Sequence, residues 1–124
     1  MGKRILIVDD EPNIVISLEF LMKREGYEVD IAPDGEAALK ALAEGRPDLV
    51  LLDVMLPRMN GFEICSRIRA NPAWREIKIL VLTAKGRDSE IARGLGLGAD
   101  LYVTKPFSTR DLVAQVRRLL GGAT

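Results

Sequence analysis

The sequence predicts an α/β fold, a single doubly wound parallel sheet with helices on both faces. Short runs of β-branched residues and leucine alternate with segments whose apolar residues recur at helical spacing. The central runs, "ILIV" (5–8) and "LVLL" (49–52), are continuously apolar, as strands covered on both faces must be. The switches of period fall near Gly, Pro, Asn or Asp, the residues that turn a chain.

The elements follow in order. Arg4 to Val8 is the first strand. Pro12 suits a first helical turn, where its missing N–H has no partner to lose. Ile14, Leu18, Leu21 and Met22 recur at helical spacing, and Gly26 can end that helix. Glu28 to Ala32 is the second strand. Asp34 can cap a helix carrying Ala38, Ala41 and Leu42, which stops near Gly45 and Pro47. Leu49 to Asp53 is the third strand. Asn60 and Gly61 start a helix with Ile64, Cys65 and Ile68 inward, and "NPAW" (71–74) breaks it. Lys78 to Thr83 is the fourth strand, Ser89 to Leu97 a weak helix, and Leu101 to Lys105 the fifth strand. Ser108 to Leu120 is the last helix. Ser108 and Asp111 are spaced like a capping box, and Leu112, Val116, Leu119 and Leu120 form its apolar face. Five strands thus alternate with five helices, and residues 1–124 read as one domain.

Composition narrows the function. Eighteen acidic and eighteen basic residues give a net charge of zero, so neither nucleic acid nor an anionic membrane is an expected partner. No stretch is long and apolar enough to span a bilayer, and the first apolar run is too short for a signal peptide. The expected setting is cytoplasmic. The single cysteine, Cys65, excludes an internal disulfide and reads as a small core residue. There is no histidine, which removes histidine acid–base chemistry, histidine metal ligands and phosphohistidine from this chain.

The polar residues fall at strand ends. Asp9 and Asp10 follow the first strand, Asp53 ends the third, Thr83 the fourth and Lys105 the fifth. In an open α/β sheet, ligands bind beyond the carboxyl ends of the strands, so these residues converge. Singly, an acidic pair is usually a turn or cap, a terminal Thr reflects strand propensity, and a Lys is solvated. Their joint placement is the informative feature. Three carboxylates together repel one another, and a hard divalent cation such as Mg²⁺ relieves that repulsion. With a lysine opposite, the group could cradle a phosphoryl anion, and an adjacent carboxylate could accept it as a nucleophile.

At this point the chain closely resembles a response-regulator receiver domain of two-component signalling. The resemblance spans nearly the whole chain and rests on "ILIVDDE" (5–11), "DLVLLDVMLPRMNG" (48–61), "ILVLTAK" (79–85) and "GADLYVTKPF" (98–107). It implies a flavodoxin-like sheet of strand order 2-1-3-4-5. It further implies that Asp53 is phosphorylated and that Asp10 is a direct Mg²⁺ ligand, with Asp9 acting through water. The backbone carbonyl of Met55 completes that ligand set. Thr83 and Lys105 would bind phosphoryl oxygens, Tyr102 would be the aromatic switch residue, and Pro106 would follow a cis peptide bond. The side chains of Met55 and Lys85 would tune the phosphoryl lifetime. The implied donor is a sensor histidine kinase or phosphotransfer protein, and the output partner or domain is unspecified.

The same resemblance raises a homodimer through the fourth helix, fifth strand and fifth helix, with Arg93, Asp100, Asp111 and Arg118 as candidate contacts. That segment is similar to receivers of winged-helix transcription factors, but Leu101 stands where they typically have a second Asp and Gln115 where they typically have Arg. The chain reads either as a stand-alone receiver or as part of a longer regulator. Other classes stay open. "GLGLGA" (94–99) matches a dinucleotide fingerprint but ends a helix instead of opening one. A Mg²⁺-dependent phosphohydrolase would also use a strand-end Asp. A pseudo-receiver would be a pure interaction module.

Overall fold

The computed structural model describes residues 3–56, 59–84 and 98–121. Its elements are β1 (Arg4–Val8), α1 (Pro12–Arg24), β2 (Glu28–Ala32), α2 (Gly35–Glu44), β3 (Leu49–Asp53) and α3 (Gly61–Ala70). A 3₁₀ turn (Pro72–Trp74), β4 (Lys78–Ala84), β5 (Leu101–Lys105) and a C-terminal helix (Thr109–Leu119) complete them. The five strands are parallel in the order β2-β1-β3-β4-β5. The strand order therefore reverses between β1 and β3, which opens a crevice beyond their carboxyl ends. β4 runs one residue beyond the expected Thr83. The helix expected over Ser89–Leu97 lies outside the described residues.

Local chemistry sets the boundaries. Asp34, Asn60 and Ser108 each accept a hydrogen bond from the backbone N–H three residues on, at 2.8, 3.0 and 3.3 Å. Each satisfies a donor that a helix start leaves unpaired. At the end of α1, Gly26 adopts φ +92°, and the N–H groups of Gly26 and Tyr27 reach back to the carbonyls of Lys23 and Met22.

Strand alternation divides the core into two layers. Leu6, Val8, Val50, Leu52, Ile79 and Val81 face α2 and α3, where they meet Ala38, Leu42, Ile64, Cys65 and Ile68. Ile5, Ile7, Leu49, Leu51, Leu80 and Leu82 face α1 and the C-terminal helix, against Leu18, Met22, Leu112 and Val116. Cys65 is fully buried, and burial pushes its thiol pKa up, as expected for a packing residue.

One clasp ties α3 to the entry of β5. The Arg69 guanidinium donates to the carbonyls of Gly98 (2.8 Å) and Ile77 (2.7 Å) and to Asp100 Oδ2 (2.7 Å). Asp100 Oδ2 also accepts from the Ile79 N–H at 2.8 Å. Asp100, a candidate contact for a second copy, is exposed and also paired inside its own chain. Asp111 and Arg118 are exposed, and Arg93 lies outside the described residues.

Candidate functional site

The pleat that sorts the core also sorts the polar residues at the sheet's carboxyl edge. Asp9 continues the parity of Ile5 and Ile7, Asp53 that of Leu49 and Leu51, and Lys105 that of Leu101 and Val103. These three side chains therefore belong to one side of the sheet. Thr83 and Tyr102 belong to the other, since Val81 pairs with Tyr102 and Thr83 with Thr104. Tyr102 packs partly buried on the α2–α3 layer.

Asp9, Asp53 and Thr83 are 1%, 5% and 1% exposed, the polar residues that the described core buries. Asp10 and Glu11 are exposed beside them. Lys105 Nζ lies 3.4 Å from both Asp9 Oδ2 and Asp53 Oδ1, and 3.9 Å from Glu11 Oε1. The N–H of Glu11 donates to Asp9 Oδ1 at 2.9 Å, and the N–H of Met55 to Asp53 Oδ1 at 3.3 Å. The Lys105–Pro106 peptide bond is cis. The Met55 side chain is 60% exposed at the rim. Lys85 lies outside the described residues.

The charges do not balance. Burial raises the Asp53 pKa above the ordinary carboxylate value, and the Asp9 charge adds to it against the pull of Lys105 and the Met55 N–H. Burial alone would lower Lys105, but Asp53 and Asp9 outweigh it and hold its pKa above the usual lysine value. One ammonium thus serves two buried carboxylates with a third close by. Oxygens of Asp9, Asp10 and Asp53 lie within 4.8 Å of one another. Three hard carboxylate donors at that separation, short of positive charge, suit an oxygen-seeking divalent cation.

Two neighbours of the site were not legible as part of it. Glu11 adds a distant carboxylate to Lys105. Gly61, expected only to start a helix, lies against the backbone of Asp53: a Cβ there would stand 2.5 Å from the Asp53 carbonyl oxygen. The available signal was a glycine in a first helical turn, where better helix formers are usual.

A family model described as "response regulator receiver domain" matches residues 5–117. The chain is 48% identical over 120 residues to the alkaline phosphatase synthesis transcriptional regulatory protein PhoP of Bacillus subtilis (strain 168). That match takes in 97% of this chain and 49% of the relative, so the chain spans about half its relative's length. A proposed response regulator from Chloroflexus aurantiacus J-10-fl superposes with a TM-score of 0.94 at 37% identity, covering 98% of this chain and 99% of that one. The receiver domain of sensor histidine kinase PA1611 from Pseudomonas aeruginosa PAO1 superposes at 0.89 with 30% identity, covering 98% and 100%. That structure has a magnesium ion coordinated in its active-site cleft.

Proposed function

The chain belongs to the response regulator receiver domain family, a phosphorylation module and not a classical enzyme; on that premise we propose that it accepts a phosphoryl group on Asp53 from the phosphohistidine of a partner kinase or phosphotransfer protein. The observation that carries this reading is the buried Asp53 carboxylate beside Asp9, Asp10 and Lys105 at the crevice mouth.

In the proposed transfer, Asp53 attacks phosphorus in line. The donor's N–P bond breaks, its electron pair returns to the imidazole nitrogen, and an O–P bond forms on Asp53. Lys105 swings from its shared position between Asp9 and Asp53 to hold phosphoryl oxygens. The absence of histidine from the sequence fits a donor on another molecule. Asp9, Asp10, Asp53 and the Met55 carbonyl would hold Mg²⁺, which supplies charge neutralisation at the transferring group. Thr83 would then donate its hydroxyl to a phosphoryl oxygen. Thr83 and Tyr102 share a sheet face, which supports a coupled movement of the two and a population shift of the surface around β5. Transcriptional control is the output that the Bacillus relative suggests.

The test is mass spectrometry of the protein after incubation with a small acyl phosphate or a phosphorylated kinase. The expected result is one phosphoryl group on wild type, dependent on Mg²⁺, and none on Asp53→Asn. Equal labelling of the two would overturn the assignment.

A further inference from the structure

Two glycines occupy equivalent places in this fold. Gly35 and Gly61 each follow an N-cap residue and open a helix, and both are buried. Their surroundings differ. A Cβ on Gly35 would meet the Met59 side chain, at 2.8 Å from Sδ, which can swing away, and 2.9 Å from Cβ, which moves only with its own main chain. A Cβ on Gly61 would meet main chain: Asp53 O at 2.5 Å, Val54 Cα at 3.0 Å and Asp53 C at 3.1 Å. Non-bonded carbon and oxygen settle at about 3.3–3.6 Å, so an alanine there must displace one partner by roughly 1 Å.

Neither flank can easily give way. On the strand side, β3 lies between β1 and β4, and the Val54 N–H donates to the Leu82 carbonyl at 3.2 Å. On the helix side, Phe62, Ile64, Cys65 and Ile68 are buried, and Arg69 is clasped to the β5 entry. The Gly61 N–H donates to the Val54 carbonyl at 3.0 Å, and the Leu56 N–H to the same carbonyl at 3.1 Å. The displacement therefore concentrates in the turn that begins at the Asp53–Val54 peptide and carries Met55.

We propose that Gly61 is a positioning residue for this site: its missing side chain lets α3 approach the Asp53 backbone and sets the aim of the Asp53 carboxylate and the Met55 carbonyl. The inference rests on the reading of those groups as phosphoryl acceptor and cation ligand. Supporting contacts behind metal ligands typically govern affinity by ten- to a hundredfold.

The experiment compares wild type, Gly61→Ala and Gly35→Ala. Calorimetric titration with Mg²⁺ should show about tenfold weaker binding for Gly61→Ala. Labelling of Asp53 by a small acyl phosphate should fall roughly a hundredfold, as for misplacement of a reacting group by 1 Å. In the metal-free protein, the Val54 and Met55 amide resonances should move. Gly35→Ala, which presses on Met59 and not on the Asp53 main chain, should change all three less than Gly61→Ala does. Gly61→Ala behaving like Gly35→Ala overturns the proposal. So does a Gly61→Ala protein that stays unfolded even at low temperature with a stabilising osmolyte, because the glycine would then serve the fold as a whole. If wild type itself takes neither Mg²⁺ nor label, the functional reading fails instead, and the metal-free amide shifts still decide what Gly61 does to the turn.

Discussion

Lys105 Nζ stands 3.4 Å from a carboxylate oxygen of Asp9 and 3.4 Å from one of Asp53, shared between two buried acids of neighbouring strands and committed to neither. Both distances exceed the usual hydrogen-bond range, so the ammonium acts as a local counter-charge.

Removing that charge leaves two carboxylates buried without compensation. Lys105→Ala should destabilise the metal-free protein by about 1–3 kcal/mol, below the roughly 3–5 kcal/mol of a fully buried broken pair because Lys105 reaches solvent. The same variant should bind Mg²⁺ more tightly than wild type and accept phosphate more slowly. Urea unfolding with and without Mg²⁺ measures the first two effects. Unchanged stability in chelator would show that Lys105 compensates neither acid.

Asp53 sets a pH dependence with an unusual sign. Its pKa is raised in the folded protein, chiefly by burial, so the folded state holds that proton more tightly than the unfolded state does. Stability falls as pH rises from the ordinary value of 3.8 through the raised value, and the loss persists above it. Asp53→Asn should therefore be more stable than wild type at neutral pH in chelator. The advantage should shrink as pH falls through that window. Lys105 has the same sign at alkaline pH: its contribution is present below 10.5 and lost as pH rises through its raised value. Denaturation curves of the two proteins across acidic and neutral pH check the sign; a wild type that gains stability over this window relative to Asp53→Asn refutes it.

The Arg69 clasp should be a strong stabilising element outside the site. Arg69→Ala removes charged hydrogen bonds to Gly98, Ile77 and Asp100. A loss of about 2–4 kcal/mol is expected, given roughly 1.5–3 kcal/mol for a hydrogen bond to a charged group. Arg69→Lys should rescue little, because an ammonium cannot reproduce the planar fork. A double-mutant cycle with Asp100→Ala should show strong coupling, and additive losses would mean the pair is incidental.

Phosphoryl lifetime depends on a water reaching phosphorus in line. Met55, exposed at the rim, has no donor and only a weak acceptor with which to orient that water. Lys85, outside the described residues, has donors but no acceptor while charged. Self-dephosphorylation should be slow for the family and several-fold faster in the Met55→Asn, Lys85→Glu double variant. Phosphate release from purified protein with Mg²⁺ and no kinase measures it; equal rates would remove the water-positioning argument.

Periodicity and turn chemistry made the described elements legible in the sequence, nearly residue by residue. Asp34, Asn60 and Ser108 announced their helices because capping is a contact across three residues. Strand-end placement alone brought Asp9, Asp10, Asp53, Thr83 and Lys105 to one edge, since parallel strands share a carboxyl end. Only the tertiary structure decided the rest. Nothing in the sequence signalled that Asp100 pairs with Arg69, 31 residues away. Gly61 looked like an ordinary helix start until α3 was seen pressed on the Asp53 carbonyl. The division between Asp9 and Asp53 of one lysine likewise depends on four strands, β1, β3, β4 and β5, lying side by side at fixed register. Local pattern records what a residue does with its near neighbours. Distances between remote segments are set by how whole layers pack, and no short stretch of sequence carries them.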